Sequence, residues 1–209
     1  MSDALAELLR HPALWRGSGA SAGEPAPETV PTGFCALDAR LPGGGWPLAT
    51  LIELLVPAAG VGEVRLLLPA LRSLTAAGTE PRWVAWLAPP HLPYAPALAD
   101  AGLDPARMLV VRPRAGLDRL WAMEQALRSG ACAAVLGWAG EARDPMLRRL
   151  KLAAEEGDTP AFLLRPAAHR NETSPAALRL ALTARDDGLD VEVLKSRSGP
   201  ARIERLHIH

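Results

Sequence analysis

The chain has 209 residues, with 23 basic and 23 acidic side chains and an aromatic content of 4%. This charge balance gives no reason to expect strong nonspecific DNA binding, so any role with nucleic acid depends on a local patch or on a partner. Few aromatic residues are available to stack on single-stranded bases. Because the chain has only two cysteines, Cys35 and Cys132, and lacks the ~20 uninterrupted apolar residues that a membrane-spanning helix needs, we expect a soluble cytoplasmic protein with reduced thiols.

Residues 1–16 predict a short amphipathic helix. Leu5, Leu8 and Leu9 lie on one side of this helix, and Trp15 follows them. Residues 17–31 are rich in Gly, Ser, Pro and Glu, which is typical of a flexible linker. We expect either that the helix folds back onto its own domain or that these four side chains bind a partner protein.

Strands and helices are predicted to alternate through a single domain at 32–209. Apolar runs predict strands at 51–55, 83–87, 108–111, 133–136 and 161–164, and helical spacing predicts helices at 62–77, 117–128 and 145–156 and one ending near 102. Alternating runs at 178–183 and 189–194 predict a C-terminal β-hairpin, followed by an edge strand at 203–208. Strands separated by helices require crossovers, so we predict an α/β fold with a mainly parallel sheet flanked by helices.

The segment between the first predicted strand and its helix has the position of a phosphate-binding loop but lacks the residues for it. A functional loop reads GxxxxGK[ST], in which the lysine neutralises phosphate oxygens and the hydroxyl holds Mg²⁺. With Gly60 and Gly62 retained, Pro57 replaces the first glycine, Glu63 the lysine and Val64 the hydroxyl residue. A carboxylate at this point repels a triphosphate, so we predict a degenerate loop that does not bind ATP.

A family resemblance rests on the residues before this loop. Residues 32–38, which read TGFCALD, the glycines at 43–45, Pro47 and the sequence LIE at 51–53 together resemble the entry to the RecA ATPase core. With the opening at 8–17 and the ending at 193–200, the chain is similar to the ImuA proteins of bacterial translesion-synthesis cassettes, which are related to SulA-like division inhibitors. The resemblance implies a RecA-like core and a role in damage-induced mutagenesis. It also implies a complex with ImuB, an inactive Y-family polymerase-like protein, and through it with an error-prone polymerase and the sliding clamp.

Two further positions depart from a RecA ATPase. The strand that carries the metal-coordinating acid in that superfamily ends at Gly137 and Trp138 here, and the segment that carries the water-positioning glutamate reads APPH, with Pro90 near that position. Phosphoryl transfer needs a phosphate clamp, a metal ligand and a positioned water. We therefore predict a non-catalytic pseudo-ATPase with no catalytic residue, cofactor or metal site.

Other side chains are candidates for binding surfaces. Lys195, Arg197, Arg202 and Arg205 predict a basic patch for a partner protein, or for weak binding of DNA or RecA. Trp46 lies beside a flexible segment and is predicted to be an exposed interface anchor. In contrast, the tryptophans within predicted strands and helices are predicted to be in the core or semi-buried: Trp83, Trp86, Trp121 and Trp138. His91 and Tyr94 lie in a proline-rich loop, which is predicted to be exposed and to fill the vacated pocket.

The function predicted from these observations is that of a non-catalytic scaffold in SOS-induced translesion DNA synthesis that binds ImuB. Two alternatives stay open. One is a SulA-like cell-division inhibitor that binds a cytoskeletal GTPase, and the other is a weak, non-standard ATP-binding switch.

Overall fold

The computed structural model describes residues 28–77, 82–114 and 117–208. The helix predicted at 1–16, with Leu5, Leu8, Leu9 and Trp15, and most of the linker predicted at 17–31 lie outside these residues. The division of the chain into helix, linker and domain therefore stays a prediction. None of the described helices is long and apolar enough to cross a membrane.

Ten strands and five α-helices alternate through the described residues. The strands are β1 (Thr29–Val30), β2 (Trp46–Pro47), β3 (Leu51–Val56), β4 (Trp83–Leu87), β5 (Met108–Val111), β6 (Cys132–Trp138), β7 (Ala161–Pro166), β8 (Leu178–Arg185), β9 (Gly188–Lys195) and β10 (Ala201–Leu206). The helices are α1 (Cys35–Asp38), α2 (Glu63–Ala76), α3 (Ala95–Asp100), α4 (Leu117–Arg128) and α5 (Asp144–Glu156).

The main sheet is mixed and has the strand order β10-β9-β8-β3-β7-β6-β4-β5. The strands from β8 to β5 pair in parallel, whereas β8 with β9 and β9 with β10 pair antiparallel. A small antiparallel pair of β1 and β2 stands beside it. All the parallel strands therefore present their carboxyl ends at one edge, where ligands of α/β sheets usually bind.

The fold class that we predicted is wrong. We expected a RecA-like, mainly parallel core to which a C-terminal hairpin is added, but the hairpin belongs to the main sheet. Its first strand, β8, lies directly beside the central strand β3, with Leu180 opposite Leu54. The alternation of Leu178, Leu180 and Leu182 resembles that of a half-exposed hairpin, but these side chains are buried because they continue the core of β3.

Alternation along β3 divides the apolar core between the two faces of the sheet. Ile52, Leu54 and Val56 pack in the cluster that includes the buried face of α2, and Leu51 packs in the cluster that includes α4 and α5. Three of the tryptophan predictions are wrong because packing partners distant in sequence decide exposure. Trp83, at the start of β4, is 44% exposed. Trp46 is fully buried and packs edge to face on Phe162, with ring centroids 5.6 Å apart, whereas Trp121 on α4 is 61% exposed.

Candidate functional site

A cleft of about 590 Å³ opens at the carboxyl edge of the sheet. Its walls come from the segments that follow five neighbouring strands and from the first turn of α4. The lining residues are Val56, Pro57, Ala58, Ala59, Ala88, Pro89, Pro90, Arg112, Pro113, Arg119, Trp138, Ala139, Gly140, Leu164, Arg165 and Pro166. We call this the edge cleft.

The degenerate loop is closed by its own carboxylate. Glu63, the first residue of α2, is only 3% exposed. Its Oε1 accepts the N–H of Gly60 (2.8 Å), and its Oε2 accepts the N–H of Gly62 (3.1 Å). In a phosphate-binding loop such N–H groups face the ligand, so the Glu63 carboxylate takes the place of a phosphate oxygen.

A side chain from the segment that follows β10 lies against the same loop. Gly62 has φ +109, and a Cβ atom there would lie 2.4 Å from the Ile208 side chain. Of the other predicted loop positions, Pro57 is exposed and lines the edge cleft, and Val64 is half-buried against the core. This close contact, together with the positive φ, explains the glycine at position 62.

The two other positions that depart from an ATPase flank the edge cleft. Gly137 lies on β6 against Met123, whose sulfur would be 2.5 Å from a Cβ atom at Gly137, so a side chain at this position would require Met123 to move. Pro90 is exposed in the wall of the edge cleft. Among the described residues, no group of three or more His, Cys, Asp or Glu side chains is arranged to hold a metal ion.

Beneath the edge cleft lies a buried ion network that the sequence analysis missed. Glu53 on β3 is fully buried, and its carboxylate accepts from Arg165 Nη1 on β7 (3.0 Å) and from Arg179 Nε on β8 (2.6 Å). Both arginines are also almost completely buried. One signal could have revealed the network: three charged residues interrupt otherwise apolar strands, and such charges need partners.

The segment after β7 completes this network. Arg165 Nη2 donates to the Ala142 carbonyl (2.7 Å) and contacts Glu172 (3.2 Å), while Arg179 donates to the carbonyls of His169 and Glu172. Glu172 also lies 2.8 Å from His169 Nδ1, and this hydrogen bond, followed by the charges of His169 and Arg165, lowers the pKa of Glu172. His169 and Glu172 thus fasten this loop to the buried network.

An apolar groove of about 470 Å³ adjoins the edge cleft. Trp86 and Trp138 stack in its wall with centroids 5.8 Å apart, and the proline-rich loop at 88–94 borders it. Leu92 and Tyr94 on this loop are 70% and 71% exposed. The predicted exposure of the loop is therefore confirmed, and we call Leu92 and Tyr94 the loop patch.

The residues of the predicted basic patch contact neighbouring groups, among them the carboxylate of Asp190. Lys195 Nζ donates to the Ser174 carbonyl (2.7 Å), and Arg202 lies 3.6 Å from Asp190. The backbone N–H of Arg205 donates to Asp190 as well, while Arg197 borders a separate pocket beside Lys151. Burial, followed by the charges of Lys151 and Arg179, lowers the pKa of Lys195. The patch stays a prediction, with less uncompensated charge than its four residues imply.

Comparison with known proteins gives consistent matches. Residues 56–161 match the family model described as cell division inhibitor SulA. SulA of Photorhabdus laumondii is 34% identical over 145 residues, covering 69% of this chain and 70% of that protein, and SulA of Serratia proteamaculans is 35% identical over 103 residues, covering 49% and 60%. The crystal structure of SulA from Pseudomonas aeruginosa matches 55% of this chain and 97% of its own, with 27% identity and a TM-score of 0.45.

These matches overturn our assignment to the ImuA branch. The predicted role in translesion synthesis and mutagenesis is wrong, and so are the predicted partners ImuB, the error-prone polymerase and the sliding clamp, because the matching family and relatives are named for division inhibition. The ending at 193–200, which suggested ImuA, lies outside the matched family segment. The chain belongs to the family of the cell division inhibitor SulA.

Proposed function

We propose that this chain is a non-enzymatic inhibitor of cell division that acts in the cytoplasm by binding a cytoskeletal GTPase. The observation that carries the proposal is the family match over residues 56–161, together with a relative whose name is cell division inhibitor SulA. This segment contains the degenerate loop, the loop patch and most of the edge cleft.

The absence of enzymatic activity is part of the proposal and is supported by Glu63. Its carboxylate accepts the two N–H groups that a phosphate would need, and a second negative group there is repelled. We expect phosphate release from Mg·ATP in the presence of the chain to equal that of buffer alone. Phosphate release above this background by the unmodified chain, and its loss in the variant Glu63→Ala, would contradict the proposal that the chain is not an enzyme.

The loop patch is the surface that we assign to the partner. Leu92 and Tyr94 are held outward by a loop that contains Pro89, Pro90 and Pro93, and proline limits the entropy that such a loop loses on binding. Exposed tyrosine and leucine beside an apolar groove can bury a large area against a partner. The loop also lies inside the segment shared with the family.

The test is the polymerisation of the purified division GTPase, followed by light scattering and by sedimentation. We expect the chain to reduce polymer in proportion to its concentration. The double variant Leu92→Ser/Tyr94→Ser should weaken inhibition by about 30- to 1,000-fold, since each of the two apolar anchors contributes on the order of 1–2 kcal/mol.

A matched control comes from the other side of the molecule. Trp121→Ser on α4 removes an aromatic side chain that is 61% exposed, and we expect it to inhibit like the unmodified chain. If the unmodified chain leaves polymerisation unchanged, the proposed function is wrong. If it inhibits and only Trp121→Ser abolishes the effect, the function stands and the assigned surface is wrong.

A further inference from the structure

Hydrogen-bond donors without acceptors concentrate at the edge cleft. In the described part of the chain, five buried side-chain nitrogen atoms have no hydrogen-bond partner, and three of them belong to residues that line this cleft. These three are Arg119 Nε, Trp138 Nε1 and Arg165 Nε. A buried donor that lacks an acceptor loses its hydration without compensation, so such groups are rare unless a ligand or water completes them.

The charged side chains that line the edge cleft are all positive. Arg112, Arg119 and Arg165 line the edge cleft, and its described lining residues include no acidic side chain. Arg165 is held through its Nη atoms by Glu53 and Glu172, and Arg119 has a distant carboxylate, Glu141, at 3.8 Å. Arg112 is exposed and forms no ion pair with a described residue. A ligand for this surface is therefore an acceptor with negative charge.

The degenerate loop does not already provide this site. Its Gly60 and Gly62 N–H groups are used by Glu63, which lines the neighbouring groove and not the edge cleft. The cleft is instead built from guanidinium groups on three elements: Arg112 follows β5, Arg119 lies on α4 and Arg165 lies on β7. Guanidinium groups that approach from several elements suit a tetrahedral oxyanion, since each can donate to a different pair of oxygens.

We propose that the edge cleft binds a phosphate group, either as free inorganic phosphate or as the phosphomonoester of a small molecule. Arg112 and Arg119 supply the accessible guanidinium groups, and Arg165, whose charge is balanced from behind by Glu53, supplies its unpartnered Nε donor at the buried end. The volume of about 590 Å³ lies within the range of small-molecule sites. Binding is reversible and involves no covalent step.

The test is isothermal titration calorimetry of the full chain with sodium phosphate, with ionic strength held constant by sodium chloride. We expect saturable binding that Arg112→Gln and Arg119→Gln each weaken by about 10- to 100-fold, as is usual when one charged hydrogen-bond donor is removed. Arg112→Gln removes an exposed side chain without an ion pair, so the fold should be kept, and circular dichroism checks this. Arg65→Gln is the matched control, because Arg65 is an exposed arginine of α2 that does not line the edge cleft.

A second titration with adenosine 5′-monophosphate distinguishes the two sources. If the nucleotide binds more tightly than phosphate, the ligand of the edge cleft is a phosphomonoester. If it binds equally or more weakly, the ligand is free phosphate. The proposal is overturned if phosphate gives no saturable binding, if Arg65→Gln weakens binding as much as Arg112→Gln, or if acetate binds as well as phosphate. The experiment contains no GTPase, so its outcome is independent of the proposed function.

Discussion

At the scale of single residues, Glu53 links several elements of the fold through its two arginine partners. Its two carboxylate oxygens each accept from a different arginine. Arg179 also donates to two carbonyls of the loop that follows β7, and Arg165 donates to the carboxylate of Glu172 in the same loop. Three strands and one loop are thus joined through one fully buried carboxylate. Removing one member of such a network leaves buried charges uncompensated, which costs more than the pairing itself contributes.

We therefore expect Glu53→Gln to lower the free energy of unfolding by about 3–5 kcal/mol, because two buried guanidinium groups lose their shared counterion. Urea denaturation followed by circular dichroism measures this change. Glu155→Gln is the matched control: Glu155 pairs with Lys151 on the surface of α5, and this substitution should cost under about 1 kcal/mol. Equal losses in the two variants would show that the network does not act as inferred.

At the scale of elements, the attachment of β10 to β9 depends on Asp190. Its carboxylate accepts from the Arg185 guanidinium and from the backbone N–H of Arg205 (3.0 Å), at the point where β10 departs from regular pairing. Arg205 has φ +55, a left-handed conformation that a non-glycine residue adopts only when its surroundings hold it. The hydrogen bond from Arg185, then that from Arg205, lowers the pKa of Asp190 from 3.8 to about 2.

This lowered pKa gives the edge strand a defined pH dependence. The pKa of Asp190 is lower in the folded state than in the unfolded state, so its ionised carboxylate stabilises the fold. This contribution to the free energy of unfolding is complete well above pH 3.8 and is lost as the pH falls towards about 2. We expect Asp190→Asn to be less stable than the unmodified chain near neutral pH, with a difference that shrinks through this window. Urea denaturation as a function of pH measures it. A difference that stays constant from neutral pH to pH 2 would rule out the ionised carboxylate as its cause.

At the scale of the whole molecule, the two cysteines report on folding because the structure separates their environments. Cys35 on α1 is exposed, whereas Cys132 on β6 is buried, and burial raises the pKa of its thiol. A thiol reagent reacts with the accessible thiolate. For Cys132 to react with such a reagent, the sheet must first open, so we expect this reaction to be slow.

We expect one thiol of the folded chain to react rapidly with Ellman's reagent and the second only at the rate of unfolding. Cys35→Ser should remove the rapid phase and leave the slow one, and urea should accelerate the slow phase. A rapid phase that persists in Cys35→Ser would mean that Cys132 is accessible in the folded protein.

The surfaces on which the proposed function depends are also brought together by the whole fold. The degenerate loop follows β3, the loop patch follows β4, and the edge cleft is lined by the segments after five strands. These features lie together only because the parallel strands end at a common edge of the sheet. Sequence reasoning could place Glu63 in a loop without a lysine, since that comparison needs only neighbouring residues. It could not show that Glu63 bonds to Gly60 and Gly62, nor that Arg112 and Arg165 line one cleft.

The sequence by itself determined the alternation of strands and helices, because apolar periodicity is a local property: β4, β5 and α4 lie where it predicts them. It also determined that the phosphate-binding residues are replaced. The tertiary structure alone decided that Trp46 is buried and Trp121 exposed, that β8 lies beside β3, and that Glu53 neutralises Arg179, 126 residues away. The physical reason is that burial and charge compensation depend on contacts between residues distant in the chain, which only the folded sheet brings together.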